Sequence, residues 1–205
     1  QSIQSTWGRV SPEKIDHDCR LIRNRLGQYW LSIPRPLDVV ENDNQVQNTL
    51  KAAKGVASID PGVRTFSTIY DDSGEVIEWG KGDIGRIYRL CSHLDSLQSK
   101  FSEPHIRAKR RYRMRRAWRR AIIRIQSLVN ELHKKLALYL CSTYKVIILP
   151  RFETSEMVKQ KKGDGLEVRS KPRQIGSKTA RGMMTWAHYR FQQRLLNKAR
   201  EYPDC

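Results

Sequence analysis

Val56-Ala57-Ser58-Ile59-Asp60-Pro61-Gly62-Val63-Arg64-Thr65-Phe66-Ser67-Thr68-Ile69-Tyr70-Asp71-Asp72-Ser73-Gly74-Glu75-Val76-Ile77-Glu78-Trp79 is the stretch that decides the fold. Val56 to Ile59 is a short apolar run that enters Asp60-Pro61-Gly62, a turn signature. Arg64 to Tyr70 alternates with the period of a half-buried strand. Asp71-Asp72-Ser73-Gly74 supplies a second turn, and Val76 to Trp79 a third strand. Three short strands joined by tight turns predict an antiparallel meander.

Downstream the period changes from two to three or four. Ile84, Ile87, Leu90, Leu94 and Leu97 form one amphipathic stripe. Ser102-Glu103-Pro104 interrupts it, with Pro104 suited to a helix start. Met114, Trp118, Ala121, Ile125, Leu128, Leu132, Leu136 and Leu140 form a second stripe, enough for a helix of about 45 Å. The expectation is an antiparallel helical hairpin. Lys145 to Leu149 is a β-branched apolar run stopped by Pro150, and reads as a buried strand parallel to the first. Residues 159–180 are poor in apolar groups and read as a mobile loop. A last helix is expected from about Ala180 to Arg200, with Met184, Ala187, Phe191, Leu195 and Ala199 on one face.

Upstream, Gln28 to Ile33 suits one strand, ended by Pro34 and Pro36. Glu41 to Gln45 is polar and suits a linker. One strand with so little around it cannot be an independent domain, so its partners are expected upstream of this sequence.

The 205 residues suffice for one ordinary domain, or one and a fragment. Lys and Arg number 39 against 21 Asp and Glu, a net charge of +18, which points to a polyanionic partner, most often nucleic acid. No run approaches a membrane span, and the N-terminus lacks a secretory pattern. Cys19, Cys91, Cys141 and Cys205 show no Cys-x-x-Cys spacing, so they read as free thiols rather than a zinc site or disulfide framework. The histidines show no paired ligand spacing.

Three groups could carry chemistry. Asp60 ends an apolar strand and opens a Pro-Gly turn, so its carboxylate is held at a sheet edge by rigid backbone, a placement that suits a hard cation such as Mg²⁺. The plainer reading is an Asx turn that caps the corner. The second group is the run from Arg107 to Arg124, which holds Arg107, Lys109, Arg110, Arg111, Arg113, Arg115, Arg116, Arg119, Arg120 and Arg124 and no acid. Arginine forks pair bidentately with phosphate oxygens, so a helix carrying them would track a polynucleotide backbone with salt-sensitive affinity. The same run would serve as a nuclear localisation signal. The third is the loop carrying Lys159, Lys161, Lys162, Arg169, Lys171, Arg173, Lys178 and Arg181, either a cover over nucleic acid or a disordered surface loop.

Ser58-Ile59-Asp60-Pro61-Gly62-Val63-Arg64-Thr65-Phe66 resembles the first RuvC motif of the TnpB nucleases and their eukaryotic relatives, the Fanzor proteins. Gly80-Lys81-Gly82-Asp83 resembles the family's linker after its third strand, and Leu128 to Ala137 its long helix. Val146 to Glu153 is similar to the second RuvC motif in its Fanzor-like form. Thr185 to Leu195 is similar to the helix before the family's zinc ribbon. The matches run in order over roughly residues 28–205.

The resemblance implies an α/β, RNase H-like (RuvC) core at residues 51–205 with an inserted basic helical hairpin. Residues 1–50 would be the remnant of a β-rich recognition domain. It implies an RNA-guided DNA endonuclease with guide RNA and target DNA as partners and Mg²⁺ or Mn²⁺ as cofactor. Zn²⁺ would enter only with a C-terminal ribbon, expected beyond Cys205. Asp60 matches the first-motif metal ligand, and Arg64 in the same motif is expected to meet nucleic acid. Pro150 stands where the bacterial branch has a glutamate. Proline cannot bind a metal, so Glu153, or Glu156 beyond it, would have to substitute. A eukaryotic source would imply the nucleus, any other the cytoplasm. The rival reading is a non-catalytic, truncated or domesticated nucleic-acid-binding protein.

Overall fold

The computed structural model describes residues 17–34, 36–37, 54–158 and 175–202. The chain divides into two compact units, Gln1–Leu37 and Asp38–Cys205, so the division falls ahead of the polar linker read from the sequence.

In the first unit, β1 (Arg20–Arg23) and β2 (Tyr29–Ser32) form an antiparallel hairpin, with Arg20 opposite Ser32 and Arg23 opposite Tyr29. Its turn is organised by Asn24, whose Oδ1 accepts the backbone N–H groups of Leu26 and Gln28 at 2.9 and 3.0 Å. Gly27 supplies the left-handed residue at φ 84°. The sequence reading expected β2 and missed β1, whose four residues Arg-Leu-Ile-Arg are too short to show a period.

The second unit carries β3 (Lys54–Pro61), β4 (Ser67–Asp71), β5 (Val76–Trp79) and β6 (Tyr144–Ile148) in one sheet of order β5-β4-β3-β6. β3 pairs antiparallel with β4 and parallel with β6, Ser58 standing opposite both Tyr70 and Ile148. A parallel pair needs a long crossover. Here it is α1 (Asp83–Ser102) followed by α2 (Ala108–Thr143), which pack on each other. At 36 residues α2 is about 54 Å long. It begins at Ala108, so Pro104 lies in the interhelical turn rather than at the helix start. Arg111 bridges that turn by donating to the carbonyl oxygens of Glu103 and Pro104.

Alternation sorts the sheet into two faces. Ala57, Ile59 and Ile69 point into a core completed by Ile87 and Leu94 of α1 and Ile125, Val129, Leu136 and Leu140 of α2. Ser58, Asp60, Tyr70, Val76, Glu78, Val146 and Ile148 occupy the opposite, exposed face. Asp60 stands opposite Thr68, and Thr68 opposite Glu78, so the two carboxylates share one row of that face.

The C-terminal helix expected as one piece is two, α4 (Ser177–Trp186) and α5 (His188–Ala199), preceded by a short α3 (Thr154–Val158) that the sequence reading did not anticipate. The break is Ala187, in the left-handed region at φ 52°. Its N–H still bonds Met183 O, and its carbonyl accepts Arg190 N–H at 2.8 Å, so one alanine ends one helix and starts the next. The kink brings Met183, Trp186, His188, Phe191 and Leu195 inward and leaves Met184 exposed. A straight helix would have buried Met184 instead.

Candidate functional site

Asp60 lies at the C-terminal end of β3, exposed, in an open cleft of about 630 Å³. Gly62, Val63, Arg64, Thr65 and Thr68 form its near wall, and Tyr88, Lys178 and Thr179 the far one. Three of the sequence-predicted residues, Asp60, Arg64 and Lys178, therefore meet in one place. Tyr88 joins the far wall by donating its hydroxyl to Lys178 O at 3.0 Å, while the Lys178 ammonium sits 5.0 Å from the Tyr88 ring centre.

The loop after Asp60 is held from below. Trp186 Nε1–H donates to Val63 O at 2.9 Å. His188 Nε2 lies 3.1 Å from Gly62 O, and its ring stacks on Phe66 at 4.8 Å between centroids. His133 Nε2 lies 2.9 Å from Trp186 O. Burial pushes both imidazoles down to about 4, so they are neutral donors to these carbonyls at neutral pH. Gly182 is required by close approach, since a Cβ there would meet Val63 Cγ1 at 2.8 Å and Tyr88 Oη at 2.7 Å. None of these contacts carries a local signal in the sequence. Trp186→Phe deletes one donor, leaving Val63 O without it, and opens a small cavity beside Phe66. The expected cost is about 2–4 kcal/mol in urea unfolding. An unchanged midpoint would mean that the bond does not tie the loop.

Glu153 is not part of the Asp60 cleft lining; its carboxylate pairs with Arg151 at 2.6 Å, ahead of α3. Leu149, Pro150 and Phe152 instead line a small apolar nook with Pro61, Phe66 and His188. Past the end of β6 the chain thus places proline and aromatic carbon, and no carboxylate, in this nook. Glu78, which the sequence reading passed over, is the acid that shares a row with Asp60. It accepts from Thr65 Oγ1 at 3.3 Å and pairs with Lys81, whose hydrogen bond and charge hold it below the usual carboxylate range. Two strand spacings put its backbone about 10 Å from that of Asp60. Among the described residues, no group of three or more His, Cys, Asp or Glu could hold a metal ion.

The basic run from Arg107 to Arg124 lies on the first half of α2. Arg107, Lys109, Arg110, Arg113, Arg115, Arg120 and Arg124 are exposed, and Arg116 and Arg119 are half-buried. Members of the set also touch neighbouring groups: Arg111 at the interhelical turn, Arg115 over the Phe101 ring at 5.7 Å and Arg116 over the Tyr112 ring at 5.9 Å. Arg181 is engaged as well, forked onto Asp95 of α1, whose carboxylate raises its pKa further. Lys159, Lys161, Lys162, Lys171 and Arg173 lie outside the described residues. Cys19, Cys91 and Cys141 are free thiols. No helix among the described residues is long and apolar enough to cross a membrane.

Over 191 residues the chain is 26% identical to a Paramecium bursaria Chlorella virus 1 protein named "Putative transposase A625R", a match covering 92% of this chain and 38% of that protein. The chain thus spans well under half the length of the curated relative it matches. No family model matches it.

Proposed function

We propose that this chain is the nuclease region of a transposon-encoded, RNA-guided DNA endonuclease of the Fanzor and TnpB kind, built on an RNase H-like core. The observation that carries the reading is the position of Asp60: exposed at the end of β3, the strand flanked by antiparallel β4 and parallel β6, over an open cleft with cationic walls. The transposase name of the viral relative agrees with it. Guide RNA and target DNA are the proposed partners, and the charge of +18 supplies their electrostatic attraction. Residues 1–50 are proposed as the remnant of a recognition domain and 51–205 as the nuclease domain, in the nucleus for a eukaryotic source.

Mg²⁺ or Mn²⁺ is the proposed cofactor, with Asp60 as one oxygen ligand. A two-ion centre requires further carboxylates about one ion spacing away. Glu153 is engaged with Arg151 and Glu78 with Lys81, so the described residues do not by themselves make up such a centre. Zn²⁺ is proposed only for a C-terminal ribbon.

The apolar nook at Pro150 favours a second reading, a nucleic-acid-binding protein that has lost catalysis. The two separate in one assay. The chain, copurified with co-expressed RNA, is incubated with complementary duplex DNA in Mg²⁺ and in Mn²⁺. Metal-dependent cutting is the result expected of the nuclease. Tight, salt-dependent binding without cutting would assign the second reading.

A further inference from the structure

The basic residues of α2 do not end with the arginine run. A groove of about 610 Å³ lies between the second half of α2 and α5. Lys134 and Leu138 line it from α2, Arg190, Arg194 and Lys198 from α5, and Glu201 closes one end. Four cations thus face one carboxylate, and that carboxylate is already engaged by Lys198 at 2.6 Å. Arg194 is fixed by neutral partners, donating to Asn130 O at 2.8 Å and Asn130 Oδ1 at 3.4 Å. Its guanidinium is therefore oriented without being neutralised. Lys134 and Arg190 are exposed and form no ion pair among the described residues.

The groove also lies on the arginine side of the helix. At 100° per residue, Lys109, Arg113, Arg116, Arg120 and Lys134 fall within about 60° of arc, along about 37 Å of axis, and the one acid on that arc, Glu131, is paired with Lys135 at 3.5 Å. Arg190, Arg194 and Lys198 recur every fourth residue and so share one face of α5. With Lys198 held by Glu201, three convergent cations, Lys134, Arg190 and the pre-oriented Arg194, remain without an acidic partner among the described residues, and they suit a repeating anion whose charges are spaced along a chain.

We propose that this groove binds a phosphodiester backbone and extends the track of the α2 arginines, an inference that rests on reading α2 as a polynucleotide-binding face. The test measures affinity against salt for three probes of unrelated sequence: a 20-bp DNA duplex, an RNA–DNA hybrid and a single-stranded RNA. Lys134→Gln with Arg190→Gln is expected to weaken binding about tenfold at 0.1 M salt. The slope of log affinity on log salt is expected to fall by 1–2 on at least one probe, since each phosphate contact contributes about 0.7–0.9. Loss on every probe containing RNA but not on the DNA duplex assigns the groove to guide RNA; loss on the duplex assigns it to DNA. Arg113→Gln with Arg120→Gln reports on α2 separately. If that pair weakens binding and the groove pair does not, the groove proposal is overturned and the α2 reading stands. If neither does, both fall. Circular dichroism and thermal unfolding check each fold, and Lys134→Gln alone replaces a double variant that melts early.

Discussion

Lowering the pH from 7 to 4 is expected to remove about 3 kcal/mol of stability for each of His133 and His188. Both rings are held near pKa 4 in the folded chain by burial, against 6.5 when exposed. Between those values the unfolded chain takes up protons that the folded chain refuses, so stability is greatest above pH 6.5 and falls as pH drops towards 4. A drop from 6.5 to about 4 corresponds to about 3 kcal/mol per ring. Together they approach the whole stability of a typical domain. The mechanism is specific. A protonated His188 would be an unpaired charge 5% exposed beneath the Asp60 loop, and a protonated His133 one at 0% exposure with Trp186 O its bonded neighbour. Urea titrations at pH 7.5, 6, 5 and 4.5 measure the slope. His188→Asn and His133→Gln are each expected to flatten it, whatever they do to stability at pH 7.5. A slope unchanged in both variants would show that other groups cause the acid loss.

The same two histidines mark where sequence reasoning stopped. Alternation between Arg64 and Tyr70 is legible because one face of the meander is buried and the other is not, whereas Val56 to Ile59 reads as a plain apolar run that hides the exposed face of Ser58 and Asp60. The parallel placement of β6 was legible too, since Val146-Ile147-Ile148 follows a helical hairpin long enough to return the chain. The kink at Ala187 was not. Glycine in the left-handed region announces itself, whereas an alanine held there by packing of Trp186 and His188 on either side carries no local signal. Once the kink is missed, His188 is assigned to an arbitrary helix face, and its grip on Gly62 O cannot be foreseen. Distance along the chain is what points to Glu153. Three extended residues reach about 10 Å, yet the segment turns into α3 and pairs Glu153 with Arg151. Arg181 belongs to a basic stretch, which by itself suggests a phosphate contact, and only tertiary packing brings Asp95 to it.

The second large effect concerns Asp60 itself. Its side chain faces the cleft rather than the core, so Asp60→Asn exchanges one oxygen for an amide without opening a cavity, and stability is expected to stay within about 0.5 kcal/mol of the parent. Nucleic-acid affinity, proposed to rest on the cations of α2, is expected to change little. If the carboxylate is required for phosphodiester cleavage, the rate is expected to fall about 10³-fold, some 4 kcal/mol in activation free energy.

Cleavage of a guide-matched duplex by the parent chain and by Asp60→Asn, each copurified with its RNA and matched for binding and melting temperature, is therefore the decisive comparison. Metal-dependent product from the parent and about a thousandth of that rate from the variant is the result predicted. Equal rates from the two, or no product from either, would contradict an Asp60-centred nuclease.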